Sequence, residues 1–264
     1  MLSQPIHRKI EYLNEALEEL SNHPTLLLDI GEWYVELDDT EQAWSYFRDA
    51  WKAAPEDLSN IHMVLDRLLH NDGEEIIEEM LPHIRQIRGL LAPFWMTQSE
   101  YVLEAELDQK WAERFWEEAL AISDGRDRQP TRAATLYEIV EMAHGLDAPK
   151  LAARYEERVR AEVPESGAVE LMDAFNIFRR EHDRTAARRL IRRGKRKAQK
   201  AGETELIEKA EQIELLLSNR MNSLFEMMNR FGPDDPDEMP DIDDFLDNLD
   251  QDAIDELRKL FDLG

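Results

Sequence analysis

The chain has 264 residues, a formal net charge of -26, 42% hydrophobic and 34% charged residues, and no cysteine. That composition excludes disulfides, thiolate catalysis and cysteine-based zinc sites, and the 10 glycines, with no evenly spaced strand–turn series, exclude an all-β fold. A chain of this length can bury a sizeable core as one long domain or an extended array, and none of its apolar runs is long enough to span a membrane.

The N-terminal stretch MLSQPIHRKIEYLNEALEEL lacks the apolar run of about 7–15 residues that a secretory leader needs, so a cytoplasmic location is the expected default. From here to about residue 231 apolar residues recur at helical spacing. The pattern predicts helices near 5–21, 24–38, 40–54, 57–71, 73–89, 91–107, 109–122, 130–145, 148–162, 165–181, 183–200 and 203–231. The breaks carry stop-and-start residues: Asn22-His23-Pro24, Asp38-Asp39-Thr40, Pro55-Glu56-Asp57, Asn71-Asp72-Gly73, Asp147-Ala148-Pro149 and Pro164-Glu165-Ser166. Short helices joined by short loops pack as antiparallel neighbours.

The helix pairs recur at about 34 residues, the signature of a repeat array. The clearest unit is HPTLLLDIGEWYVELDDTEQAWSYFRDAWKAAPEDL. Its small residues, Gly31, Ala43 and Ala50, let two helix backbones approach closely. Tyr34 and Phe47 fill the space beside them, and Pro55 ends the second helix. With Leu27 and Ile30, these residues make the unit resemble a tetratricopeptide repeat (TPR). Ala112-Trp116-Ala119, Ala152-Val159-Pro164 and Ala187-Ile191-Gly194 repeat parts of the spacing, and in 58–89 only the apolar positions fit, with Pro82 expected to kink the second helix. The resemblance covers roughly residues 24–200. It implies an all-α, TPR-like right-handed α-solenoid of about five hairpins over residues 1–231, with 203–231 as a long capping helix.

In TPR proteins the first helix of each repeat builds the concave surface. Carried over, the resemblance implies a partner-binding groove from Leu28, Glu32, Glu36, His62, Asp66, Thr97, Tyr101, Tyr137, Glu141, Met172, Asn176 and Arg179. A clamp for a C-terminal carboxylate needs Lys, Arg and Asn along this row. The first three repeats offer mainly acidic and uncharged residues instead, so the groove is expected to take a neutral, apolar or basic segment. All six tryptophans, Trp33, Trp44, Trp51, Trp95, Trp111 and Trp116, lie in the same part of the chain, as core or as groove anchors.

The segment 179–200 is the exception to the acidic character, with 11 Lys/Arg against 2 Asp/Glu. Ala187, Leu190, Ile191, Gly194 and Ala198 give its helix an apolar stripe. Arg188, Arg189, Arg192, Arg193, Lys195, Arg196, Lys197 and Lys200 cover the remainder as a basic docking face. Three occupants stay open: a nucleic-acid backbone, the acidic tail of the same chain, or an acidic protein. The rest of the chain carries a net charge of -35, which opposes the first.

The stretch RMNSLFEMMNRF, with Met221, Leu224, Phe225, Met227, Met228 and Phe231, is more apolar than a plain cap requires, and reads either as core packing or as an adaptable docking surface. Residues 232–264 read as an acidic, largely disordered tail with a short amphipathic helix near 251–262. Ile242, Phe245, Leu246, Leu249, Ile254, Leu257, Leu260 and Phe261 alternate there with acidic residues as a linear interaction motif.

No phosphate-binding loop, dinucleotide fingerprint, nucleophile elbow or zinc-protease motif is present. The stretch DPDEMPDIDDF has prolines where a calcium loop must curl and lacks its glycine. His62 and His70 are two helical turns apart and cannot share one ion without further ligands. No catalytic residue, metal or cofactor is expected. The expected role is a non-enzymatic protein–protein interaction adaptor, scaffold or regulatory subunit. The alternatives are a chaperone-like assembly factor holding a client and a nucleic-acid-associated regulator using helix 184–200.

Overall fold

A computed structural model of the chain describes residues 3–20, 22–126 and 128–217. They form α1 (Ser3–Leu20), α2 (Pro24–Glu36), α3 (Thr40–Ala53), α4 (Leu58–His70), α5 (Glu74–Ile84) and α6 (Ala92–Glu104). These are followed by α7 (Gln109–Ile122), α8 (Arg132–Gly145), α9 (Pro149–Glu162), α10 (Gly167–Glu181), α11 (Arg184–Ala201) and α12 (Thr204–Leu216). The fold is all-α, built of TPR-like helical hairpins, with no strand among the described residues.

The helix ends follow from the polar breaks. The side chains of Asp39, Asp57, Asp108, Thr131, Ser166 and Asp183 each accept a backbone N–H of the first turn they precede. Asp38, Asp72, Asp147 and His182 adopt the left-handed conformation where a helix has just stopped. α5 departs from expectation: it ends at Ile84 rather than running kinked to residue 89. Pro82 lacks the N–H that would continue the ladder, and the chain passes into tight turns closed by Gln86 N–H to the His83 carbonyl (3.0 Å) and Ile87 N–H to the Ile84 carbonyl (3.0 Å). The predicted helix 203–231 is described only as α12, so Met221, Leu224, Phe225, Met227, Met228 and Phe231 lie outside the described residues, as does the whole tail from residue 232.

The chain divides into two compact units. Among the described residues, unit 1 holds those up to Thr135 and Met142–Ala148; unit 2 holds Leu136–Glu141 and those from Pro149 to Leu217. In unit 1, α2 and α3 form a close hairpin. A Cβ on Gly31 would lie 2.4 Å from Phe47 Cε1, so only glycine lets the Phe47 ring seat against the α2 backbone. Ala43, Phe47 and Ala50 are fully buried, and Tyr34 stacks on Tyr46 at 5.4 Å. Buried Asn60 of α4 donates to the carbonyls of Ala50 (3.0 Å) and Ala54 (3.1 Å), closing the end of α3. Trp95 of α6 stacks on Phe115 of α7 at 5.6 Å. Arg85, freed by the early end of α5, binds buried Glu118 of α7 through two N–H groups, Nε at 2.7 Å.

In unit 2 the backbones of α10 and α11 cross at glycine. A Cβ on Gly167 would lie 2.5 Å from the Gly194 carbonyl oxygen, and one on Gly194 would lie 3.0 Å from that of Gly167. Ala187, Ile191, Gly194 and Ala198 form the buried face of α11. Glu203, which begins α12, turns its carboxylate away from its own helix to the start of α10. There it accepts from Ser166 Oγ (3.0 Å) and the Gly167 N–H (3.3 Å), placing negative charge on that helix N-terminus.

Because all six tryptophans lie in unit 1, tryptophan fluorescence reports its unfolding alone. Gly31→Ala should lower the stability read in a urea titration by about 1–3 kcal/mol, despite the better helix propensity of alanine. Gly31→Ala combined with Phe47→Leu should lose less than the sum of the two single changes, because leucine lacks the ring atoms that the added Cβ would meet.

Candidate functional site

The first helices of unit 1, α2, α4 and α6, bring Glu32, His62, Asp66, Thr97 and Tyr101 into one polar row. Arg67, which the sequence reading did not single out, ties it together. Its guanidinium pairs with Glu32 of α2 and, at 2.5 Å, with Asp66. Asp66 also accepts from the Tyr101 hydroxyl of α6 and lies 3.2 Å from His70 Nδ1. Tyr101 thus sits between two histidines of α4. Its ring meets His62 edge-on at 5.9 Å, and its oxygen is 3.3 Å from His70 Nδ1. His62 Nδ1 is 2.9 Å from Gln98 Oε1 of α6.

Burial, with the hydrogen bond to Asp66 and its charge behind it, pushes the Tyr101 phenol up to about 12. The row therefore keeps a neutral phenol at its centre through the physiological range. The cation that joins the row is held between two carboxylates, so it offers no free clamp for a carboxylate terminus. Among the described residues no three His, Asp or Glu side chains gather as a metal site.

Two depressions flank the row. One, of about 510 Å³, lies where α1, α2 and the end of α4 meet, lined by Leu13, Asp29, Glu32, Trp33, Val35, Glu36 and Asn71. Lys9 Nζ sits 3.9 Å above the Trp33 ring. The other, of about 480 Å³, is mainly apolar and runs between α4 and α6, lined by Leu58, Ser59, His62, Met63, Pro93, Phe94, Thr97 and Gln98. Trp51, Trp95, Trp111 and Trp116 are buried core, which leaves Trp33 and Trp44 as the half-exposed tryptophans. Leu28 is buried as well, so it supports the row without lining it.

Unit 2 does not offer the expected continuation. Tyr137 and Met172 are buried. The Tyr137 hydroxyl donates to Glu141 (3.1 Å), and burial followed by that carboxylate drives its pKa well above the usual phenol range. The other Glu141 oxygen is 2.9 Å from Lys209 Nζ of α12. Burial pulls Lys209 down, but Glu141 and Glu138 outweigh it and hold the ammonium above its ordinary pKa. Asn176 donates to Glu156 (3.0 Å), and Arg179 is also engaged. The physical reason for the Glu141 pairing is α12, which brings Lys209 to that carboxylate.

The basic residues of α11 are divided among different surroundings. On one flank, Arg193 and Lys197 reach Glu170 of α10 at 3.2 and 2.9 Å. On the other, Lys195 pairs with Glu211 (2.9 Å) of α12, while Arg192 and Lys195 each lie 3.8 Å from Glu214. The hydrogen bond to Glu211 comes first among the causes that raise the Lys195 pKa. Arg188 donates to the Leu217 carbonyl, fixing the end of α12 near the start of α11. Arg189, Arg196 and Lys200 are exposed, with no carboxylate partner among the described residues. Together with Arg193 they fall within about 60° of arc, opposite the buried stripe.

These hairpins define an all-α helical-repeat protein of TPR-like build. No protein-family model matches the chain, and no curated protein matches it. Solved structures do. Yeast Tom70 is similar at 16% identity over 78% of this chain and 43% of that one, with a TM-score of 0.33, so the chain spans less than half of Tom70. YrrB, described as a TPR protein with an unusual peptide-binding site, matches at 9% identity over 76% of this chain and 99% of its own, TM-score 0.28. Pseudomonas aeruginosa PilF matches at 15% over 77% and 96%, TM-score 0.28. At these scores none of them lends residue roles to this chain.

The Tyr101 environment has a measurable pH signature. A phenol whose folded pKa exceeds its unfolded value of about 10 leaves stability unchanged below that pH. It erodes stability as the pH climbs toward the folded value. Carbon-13 NMR of ring-labelled tyrosine should show Tyr101 titrating near about 12, and Asp66→Asn should move it down, toward but not all the way to the ordinary value.

Proposed function

We propose that the chain is a non-enzymatic protein-interaction adaptor, scaffold or regulatory subunit with two separate binding surfaces. The α2–α4–α6 row of unit 1 receives a neutral-to-basic segment of a partner, and the exposed stripe of α11 receives an acidic one.

The observation that carries the first surface is the depression around Trp33. It joins an aromatic face to Asp29, Glu32 and Glu36 on one side of α2, and the chain already lays a lysine, Lys9, over that ring. An ammonium or guanidinium of a partner finds there both a π face and carboxylates that favour its charged form. The neighbouring apolar depression by Met63 and Phe94 suits a bulky side chain further along the same segment. The second surface rests on charge: the stripe's cations face solvent in an otherwise acidic chain, where an acidic protein segment finds complementary charge.

The test is a calorimetric titration with 15-residue peptides that alternate leucine with lysine, against sequences in which glutamate replaces lysine. The lysine series should bind, and Trp33→Ala or Glu32→Gln/Glu36→Gln should each weaken it about 5- to 20-fold, on the order of the loss of one interface anchor. Equal binding of the two series, or indifference to both variants, would contradict the assignment.

A further inference from the structure

We infer that the acidic segment seated on the α11 stripe is the chain's own, residues 233–250, so that α11 carries a self-occupied dock. The inference rests on the reading of the stripe as an acidic-segment dock and adds the identity of its occupant.

Three observations lead to it. The first is the selective neutralisation of α11. The helix meets α10 and α12 on its two flanks, and each supplies carboxylates: Glu170 to Arg193 and Lys197, and Glu211 and Glu214 to Arg192 and Lys195. Among the described residues the outward row Arg189, Arg196 and Lys200 receives none, and Arg196 donates to the Arg192 carbonyl at 3.2 Å. Arg189, Arg196 and Lys200 form a line about 17 Å long at the helical rise.

The second is where the chain leaves α12. The Leu217 carbonyl accepts from Arg188, so the exit lies one residue from the start of the stripe. Residues 218–232 then separate that point from Pro233 and reach at most about 50 Å. A tether of that length lets the segment beyond it reach α11.

The third is complementarity of charge and spacing. Residues 233–250 carry 9 Asp/Glu and no Lys or Arg. A nucleic-acid backbone would offer equivalent charge, but it would approach from solution against the repulsion of a chain whose net charge is -26. The tail is already tethered at an effective concentration of about millimolar, which favours it over a free ligand of equal affinity.

The experiment uses the full-length chain and a full-length variant in which the Asp/Glu of 233–250 are changed to Asn/Gln. A fluorescein-labelled peptide of residues 233–250 is titrated into each at low salt by anisotropy. Arg189→Gln/Arg196→Gln/Lys200→Gln, all at exposed positions, is tested in both backgrounds, with circular dichroism as the folding control. With a tethered competitor at about millimolar and a free-peptide Kd near 100 µM, the neutralised-tail chain should bind about tenfold more tightly than the native chain. The triple change should abolish that binding. Equal affinity of the two chains, still lost in the triple variant, would overturn self-occupation and leave the stripe as a dock for acidic proteins. Peptide binding indifferent to the stripe would overturn both. A duplex DNA of 20 base pairs outcompeting the peptide on the neutralised-tail chain would reassign the stripe to nucleic acid.

Discussion

The close approach of α10 and α11 at Gly167 and Gly194 is the constraint on which unit 2 depends. With either glycine replaced, a Cβ would push against the opposite backbone carbonyl, and backbone yields far less readily than a side-chain tip. The crossing brings Glu170 under α11, where it meets both Arg193 and Lys197. It also turns the remaining basic residues outward. Gly31 plays the corresponding part in unit 1 against a ring, Phe47, rather than against backbone.

The charged contacts around α11 differ in weight. The Glu170 side chain is only 7% exposed, and its Oε2 has no hydrogen-bond partner, so its charge is tolerable only with Arg193 and Lys197 in place. Removing one partner of such a carboxylate costs several kcal/mol in general. The Arg192–Glu214 pair, 3.8 Å apart with the arginine 73% exposed, belongs with surface pairs worth about 0–1 kcal/mol. The fold therefore holds the cations facing α10 firmly and those facing solvent hardly at all. This division leaves the outer stripe with the weakest intramolecular ties of the helix that carries it.

The helix ends were legible because short-range chemistry sets them: aspartates that cap, prolines that stop, and left-handed residues after a last turn. The Gly31–Phe47 contact was legible for the same reason, through a fixed spacing within one hairpin. The apolar and basic faces of α11 also follow from the sequence. What stayed hidden is long-range pairing: Arg85 with Glu118, Asn60 with the end of α3, Glu203 with the start of α10, and Arg67 with Glu32. These partners are ordinary charged or polar residues in a chain that holds 58 acidic ones, and nothing local marks them. The same limit explains why the polar row joins only α2, α4 and α6 among the positions expected from the sequence. That Lys209 would reach Glu141, and that Tyr137 and Met172 would be buried, depends on where α12 packs, which periodicity alone does not give.

The contact inferred between α11 and the acidic segment of the same chain can be measured directly. Because the chain has no cysteine, Asp244→Cys introduces a single site for a nitroxide label. Paramagnetic broadening of backbone amides then reports proximity directly. The account predicts strong broadening at Arg189, Arg196 and Lys200 at low ionic strength, little in α2, α4 and α6, and loss of the effect at about 1 M salt, where the screening length falls to about 3 Å. Broadening absent from α11, or centred instead on the Trp33 depression, would contradict it.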